Sequence, residues 1–259
     1  MKVLLIGCGK MGGAMLRRWV DNTNHAFTVV DPFANDLPDS VSLVRDAGEL
    51  GEQCFEIIIV AVKPQMVADV LPAYQKHITG GGCAVSIAAG CSMARISGLL
   101  GDVATVRVMP NLPALIGRGA TGLYAGDSCT AQHREQVTTL IDSVGKSFWV
   151  NSEDELDRLT AISGSGPGYV FQFLHSYISA ARELGFTEET ARALVLQTVS
   201  GAAKMAEQSD QSMEELRNSV TSKNGTTEAG LNVLNANGTL DELLKHTTDA
   251  AYKRAIELQ

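Results

Sequence analysis

The chain reads as an α/β protein, with a doubly wound parallel sheet in residues 1–151 and an all-helical domain in residues 152–259. Three observations predict this. Short apolar runs alternate with helical patterns through the first 150 residues, as strands joined by crossover helices do. One run, FEIIIVAV (55–62), is almost wholly apolar, as a strand buried on both faces must be. After residue 151 strand-like runs cease and helix-start signals take over.

The elements follow in order. KVLLI (2–6) is the first strand, and Met11, Met15, Leu16 and Trp19 recur at helical spacing behind it. FTVV (27–30), FEIIIVAV (55–62), CAVSIAA (83–89), VATVRVM (103–109), GATGLYA (119–125) and SFWV (147–150) continue the strand series. Helices are expected over 65–78, 92–100 and 130–144. In the second half, Ser152 with Glu155, Ser212 with Glu215 and Thr239 with Glu242 each fit a capping box, and Thr187 fits a helix cap. From there Ala191, Leu194, Val195, Thr198, Ala202 and Met205 repeat at three and four residues.

Composition narrows the function classes. The 259 residues are 45% apolar, enough for a sizeable core without staples, and carry a formal charge of −8. With no basic tract, nucleic acid is an unfavourable partner. No apolar run approaches the roughly 18 residues of a membrane helix, and the N-terminal MKVLLIGCGKMGG has glycines where a signal peptide would stay apolar. A cytoplasmic enzyme is the expectation. The five cysteines form no C-x-x-C pair and are read as reduced thiols, and the five histidines offer no metal-ligand spacing.

The first turn carries chemistry. Gly7, Gly9 and Gly12 stand in G-x-G-x-x-G spacing with a strand before and a helix after, which is the Rossmann-like context for dinucleotide binding. Gly7 permits the tight turn, Gly9 lets the backbone approach a pyrophosphate, and Gly12 lets helix and strand pack closely. Ile6, Cys8, Lys10 and Met11 complete this loop. Asp31, at the end of the second strand, has the spacing of a carboxylate that bonds a ribose hydroxyl, which favours NADH because a 2′-phosphate would be repelled. Alternatively Asp31 and Pro32 only start a turn.

A second unusual stretch is RNSVTSKNGTTEAGL (217–231), where hydroxyls, an amide and a glycine interrupt helical sequence. Read from its residues alone, it is either a nest of donors aimed at an anion or a helix–helix turn capped by Thr226 or Thr227.

With AVKPQ (61–65), AAG (88–90), MPNLPA (109–114) and SGSGPGYV (163–170), these motifs resemble pyrroline-5-carboxylate reductase over nearly the whole chain, in the family's order and at plausible distances. The resemblance implies an enzyme that reduces 1-pyrroline-5-carboxylate to L-proline with NADPH or NADH. It leans to NADPH where Asp31 leans to NADH. It implies coenzyme contacts from Ala61, Val62, Lys63, Pro64, Ala88, Ala89 and Gly90, with Met109, Pro110 and Asn111 on the nicotinamide side. Ser222, Gly225 and Thr226 would bind the substrate carboxylate, and Thr227 would offer its hydroxyl to the ring nitrogen as the catalytic group. It also implies a homodimer through the helical domain, possible larger rings of dimers, and no metal. Lys223, Asn224, Leu112 and Gly168 depart from the family pattern, and the first three put substrate affinity in question.

Two rivals remain. A β-hydroxyacid dehydrogenase carries a lysine, with an asparagine a turn later, on the helix after the interdomain glycines. Here no lysine lies between Lys146 and Lys204 and no asparagine between Asn151 and Asn218. A non-catalytic NAD(P)-binding regulator would have no use for the 222–227 donors.

Overall fold

The structure is a computed structural model and describes residues 1–258. The chain separates into two compact units, Met1–Pro167 together with the chain from Ala251 onward, and Gly168–Ala250. The sequence-read boundary at 151 lies two residues beyond the last strand, and the first unit continues past it.

The first unit is built on one eight-stranded sheet. Its strands are β1 (Lys2–Ile6), β2 (Ala26–Val30), β3 (Ser42–Val44), β4 (Phe55–Val60), β5 (Ile78–Ser86), β6 (Ala104–Met109), β7 (Gly119–Ala125) and β8 (Gly145–Trp149). Their order is β3-β2-β1-β4-β5-β6-β7-β8, and every pair is parallel except β6 with β7. The doubly wound sheet expected from the sequence is therefore present, with its last two strands reversed. Those two are linked to the rest through a short antiparallel connection, the 3₁₀ turn Leu112–Ile116, which leaves no room for a crossover helix. The three-residue β3 has too short a pattern to be read in advance.

Alternation along the strands divides the core in two. Val3, Leu5, Ile57 and Ile59 face α1 (Lys10–Asn22), while Leu4, Ile6, Ile58 and Val60 form a second cluster with Leu71, Ile96 and Leu100. Trp19 of α1 is buried, and its indole N–H donates to Leu140 O at 2.8 Å, tying α1 to the later helix on the same face. The expected helix over 65–78 is broken into a 3₁₀ turn at Pro64–Met66, one turn of α2 (Val67–Val70) and a 3₁₀ run at Leu71–His77. Pro72 lacks the N–H that a continuous α-helix would use there. Helices α3 (Met93–Leu100) and α4 (Ala131–Asp142) are capped by Ser92 and Thr130.

Beyond the sheet, α5 (Glu153–Leu159) is capped by Ser152 and runs into a π-helical turn, Thr160–Gly164. Then come α6 (Gly166–Glu183), α7 (Glu188–Gln208), α8 (Met213–Ser219), α9 (Thr226–Leu234) and α10 (Thr239–Glu257). Thr187 caps α7, and Ser212 with Glu215 makes the full capping box on α8. The Thr239–Glu242 box does not form. Asn237 and Gly238 take left-handed φ values of 56° and 66°, so Thr239 is already helical and its hydroxyl donates back to Ala236 O. Among the described residues, no helix is long and apolar enough to cross a membrane.

Helix α1 reaches the sheet through glycine. A Cβ on Gly12 would stand 2.9 Å from Gly7 O and 3.1 Å from the Ala61 Cβ, both part of rigid strand–loop structure. Gly12→Val therefore has to push α1 outward, and overpacking of this kind costs about 1–3 kcal/mol. Urea unfolding of the variant is expected to show a lower midpoint at unchanged slope.

Candidate active site

A cleft of ≈ 530 Å³ opens at the C-terminal ends of β1, β2 and β4. Its wall includes Ile6, Gly7, Gly9, Asp31, Val62 and Lys63, and Ala61 also lies on it. Gly7 has φ +87°, and a Cβ there would meet Val62 Cγ1 at 2.9 Å. Only glycine makes this turn without strain. A Cβ on Gly9 would touch nothing within 4 Å, so the space in front of that backbone is open. Gly9 is also the N-cap of α1 and supplies no side-chain acceptor, leaving the first N–H groups of the helix directed at whatever fills that space. Lys10, Met11 and Gly12 form the opening turn of the helix behind it.

Asp31 holds the loop together. Its Oδ2 accepts the Cys8 N–H at 2.6 Å, and its Oδ1 accepts those of Phe33 at 2.8 Å and Ala34 at 3.0 Å. The turn reading of this residue is observed, and because a carboxylate has about four acceptor sites, these three bonds leave room for one more donor. Burial, reinforced by the Asp31 charge, pushes the Cys8 thiol up and keeps it neutral. Arg45, which the sequence did not single out, also lines the cleft, and its Nη1 donates to the carbonyls of Asp31 (3.3 Å), Pro32 (3.3 Å) and Ala34 (2.8 Å). Phe33, 85% exposed on the same rim, is the other residue missed. A large exposed aromatic beside a cleft is visible only once the fold is known. Pro64 sits at the first position of a 3₁₀ turn capped by Lys63, which fixes the chain direction as it leaves the cleft.

The remaining loops gather farther along the same sheet edge. Ala88, Ala89, Gly90 and Met109 line a small pocket of ≈ 50 Å³ with Ala255 and Leu258 of the C-terminal segment. Gly90 has φ +72°, and a Cβ on it would stand 2.6 Å from Leu258 O. Arg107, buried under this pocket, pairs with Glu153, whose Oε1 also accepts the Met93 N–H at 2.8 Å. Pro110 is buried. The Asn111 amide joins two segments, donating to Ser163 O at 3.0 Å and accepting from Ala120 N at 2.9 Å. Its side chain is a brace between β7 and the π-helical turn. A π turn inside a helical run is often a sign of a functional site.

In the second unit, the 222–227 segment links α8 to α9. Ser222 O accepts the Gly225 N–H at 3.0 Å, and Asn224 has the left-handed φ of 58° that the family's glycine would supply. The turn therefore survives the change to Asn224, as that residue's tolerance of left-handed φ leads one to expect. A Cβ on Gly225 would stand 2.9 Å from the Ser222 carbonyl oxygen, so a side chain here would have to shift the turn. Gly225 is the N-cap of α9, correcting the choice of Thr226 or Thr227. Both threonines are inside the first helical turn, exposed, with no side-chain cap to occupy its N–H groups. The Asn224 N–H donates to Glu228 Oε2 at 2.6 Å, a partner the sequence reading missed.

Comparisons with known proteins agree with one another. Residues 153–258 match the family model described as pyrroline-5-carboxylate reductase dimerisation, and residues 2–90 match that of the coenzyme F420-dependent NADP oxidoreductases. The chain is 36% identical to the pyrroline-5-carboxylate reductase of Pseudomonas aeruginosa, over 99% of this chain and 96% of that one. It is 32% identical to pyrroline-5-carboxylate reductase 2 of Bacillus subtilis, over 100% and 95%. A pyrroline-5-carboxylate reductase structure from Coxiella burnetii superposes with a TM-score of 0.90 at 33% identity, covering 99% of this chain and 98% of that one. The Plasmodium falciparum pyrroline carboxylate reductase, solved with NADP bound, gives 0.87 at 26%, covering 100% and 98%. The chain belongs to the pyrroline-5-carboxylate reductase family.

Proposed function

We propose that the chain reduces 1-pyrroline-5-carboxylate to L-proline with a nicotinamide coenzyme held in the β1–β2–β4 cleft. The observation that carries the reading is the pairing of motifs in one chain of this family: an open glycine loop at Gly7 and Gly9, and the exposed donor turn at 222–227. The residues present fit the coenzyme. Open space before Gly9, bare N–H groups at the start of α1 and the Asp31 carboxylate match a pyrophosphate and a ribose. Ala61, Val62, Lys63 and Pro64 flank the pyrophosphate and ribose, and Phe33 offers a face to the adenine. Ala88, Ala89 and Gly90, with Met109 and Pro110, form the nicotinamide side, and Asn111 braces it. When bound, the coenzyme supplies hydride to the C=N carbon.

The protein's own share is binding, orientation and exclusion of water. Ser222, Gly225 and Thr226 take the substrate carboxylate at the N-terminus of α9, where backbone donors and the helix dipole favour an anion. Thr227 places its hydroxyl on the ring nitrogen, orienting it and relaying a proton to it. A protonated imine is already electrophilic, so the reaction needs no carboxylate pair or nucleophile triad. Lys223 adds a positive charge beside the bound anion.

The coenzyme preference follows from Asp31. Its remaining acceptor site suits a ribose 2′-hydroxyl, and its charge repels a 2′-phosphate. NADH is the favoured donor on this reading.

The second unit supports a homodimer. Within Gly168–Ala250 the buried apolar residues are Ala181, Ala191 and Val195, while Phe171, Phe173, Leu184, Phe186 and Met205 are exposed. A helical unit with so small a core does not bury enough apolar surface to be stable uncovered. A second copy of this chain, matching face to face, is the cover we assign, with residues 152–259 as the substrate-binding and dimerisation domain.

Two variants test the assignments. Thr227→Ala is expected to lower kcat for imine-dependent coenzyme oxidation about 10- to 100-fold. Its coenzyme KM should stay the same, and unchanged turnover would remove Thr227 from the chemistry. Wild-type initial rates are expected to favour NADH over NADPH. Asp31→Ser should reduce that ratio of kcat/KM about tenfold, the effect of ~1.4 kcal/mol. A wild-type preference for NADPH would refute the role given to Asp31.

A further inference from the structure

The fold gathers three residues that the sequence keeps apart. Cys83 on β5, Cys129 in the loop before α4 and His133 in the first turn of α4 bring two sulfurs and an imidazole nitrogen within 4.8 Å of one another. None of the three lies on the coenzyme cleft or the 222–227 turn. Cys83 is fully buried, and Cys129 is half-buried, so a small molecule reaches the second sulfur first.

The surroundings favour a thiol pair over a metal. Both nitrogens of His133 already have partners, Nδ1 accepting the Thr130 N–H at 3.2 Å and Nε2 facing Gly81 O at 2.9 Å. Ligating a cation would break one of these bonds, and the Thr130 bond is half of the capping box that starts α4. Forming a disulfide breaks neither. The two sulfurs already lie within 4.8 Å of each other. Cys83 is paired on both sides, with Ile57 and Ala104, so the closing movement falls to the loop that carries Cys129.

We propose that Cys129 and Cys83 form a reversible intramolecular disulfide when the protein meets a hydroperoxide, with Cys129 as the attacking sulfur and Cys83 as the resolving one. The Cys129 thiolate attacks the hydroperoxide oxygen and the O–O bond breaks. The displaced oxygen leaves as hydroxide or alkoxide, and Cys129 becomes a sulfenic acid. The Cys83 sulfur then attacks the Cys129 sulfur. The S–S bond forms and the hydroxyl leaves as water, taking the proton that Cys83 gives up. Two thiols lose two electrons and the hydroperoxide gains them. Electrostatics assist the order of events. A hydrogen bond from the Cys83 thiol, with His133 nearby, brings the Cys129 thiol down to about 6, and the same contact pushes the Cys83 thiol up. Cys54, the exposed thiol elsewhere on the unit, instead faces the carbonyls of Glu52 and Lys76.

The test is treatment of the purified full-length protein with equimolar hydrogen peroxide, followed by thiol alkylation, proteolysis and mass spectrometry. The expected result is a linked Cys83–Cys129 peptide, reversed by dithiothreitol, formed well ahead of Cys54 oxidation. In Cys83→Ser, which keeps a hydrogen-bond donor beside Cys129 but cannot resolve it, Cys129 should stop at a sulfenic acid that dimedone traps. In Cys129→Ser, Cys83 should stay reduced. The linked form should keep its imine reductase activity, since the pair is remote from the cleft. Recovery of both peptides fully alkylated after peroxide overturns the proposal. So does stoichiometric zinc in the protein as purified that is lost in Cys129→Ser, which would make the cluster a metal site instead.

Discussion

The close approach of α1 to the sheet at Gly12 is the constraint on which the rest of the first unit depends. A helix start can present bare N–H groups to a phosphate only if nothing stands between backbone and ligand. That requires a left-handed turn at Gly7, an empty position at Gly9 and contact between Gly12 and the Gly7 carbonyl. The same approach buries Met15, Leu16 and Trp19 against β1 and β4, so the packing that stabilises the sheet also sets the geometry of the cleft. Asp31 extends this logic. By accepting three backbone N–H groups it ties the β1–α1 loop to the turn after β2, and it brings one negative charge to the wall of the cleft.

The second unit follows a different economy. Its candidate site is a turn, not a cleft. Asn224 accepts the left-handed φ that the turn demands, Gly225 leaves room for the Ser222 hydroxyl, and the two threonines start α9 without capping it. Glu228 steadies the turn from one helical turn away. An imine acid has one permanent anionic group, and an uncapped helix start is a fitting place to hold it. For the proposed reduction, alignment would then do most of the work, which a site with few titrating groups can supply.

Much of this was legible in the sequence, and the reasons are local. The glycine triplet, the apolar strands and the caps at Ser152, Thr187 and Ser212 each reflect interactions within a few residues of the chain. What escaped is nonlocal or too short. The reversed β7 and β8 depend on a connection that only the closed sheet reveals. The broken helix after Pro64 and the uncapped start at Thr239 turn on backbone conformations that the apolar pattern does not encode. Arg45, Phe33, the Asn111 brace and the meeting of Cys83, Cys129 and His133 all join residues that are distant in sequence or exposed for reasons the pattern cannot express.

The account stands on recognition of the substrate's acid group by the 222–227 turn. The most direct measurement compares kcat/KM for 1-pyrroline-5-carboxylate and for 1-pyrroline, which has the same ring and C=N bond but no carboxylate, at saturating coenzyme. Charge-assisted hydrogen bonds of about 1.5–3 kcal/mol each predict a loss of about 10²-fold or more for 1-pyrroline. Equal values for the two imines would contradict the account, because the turn would then contribute nothing that the ring alone does not.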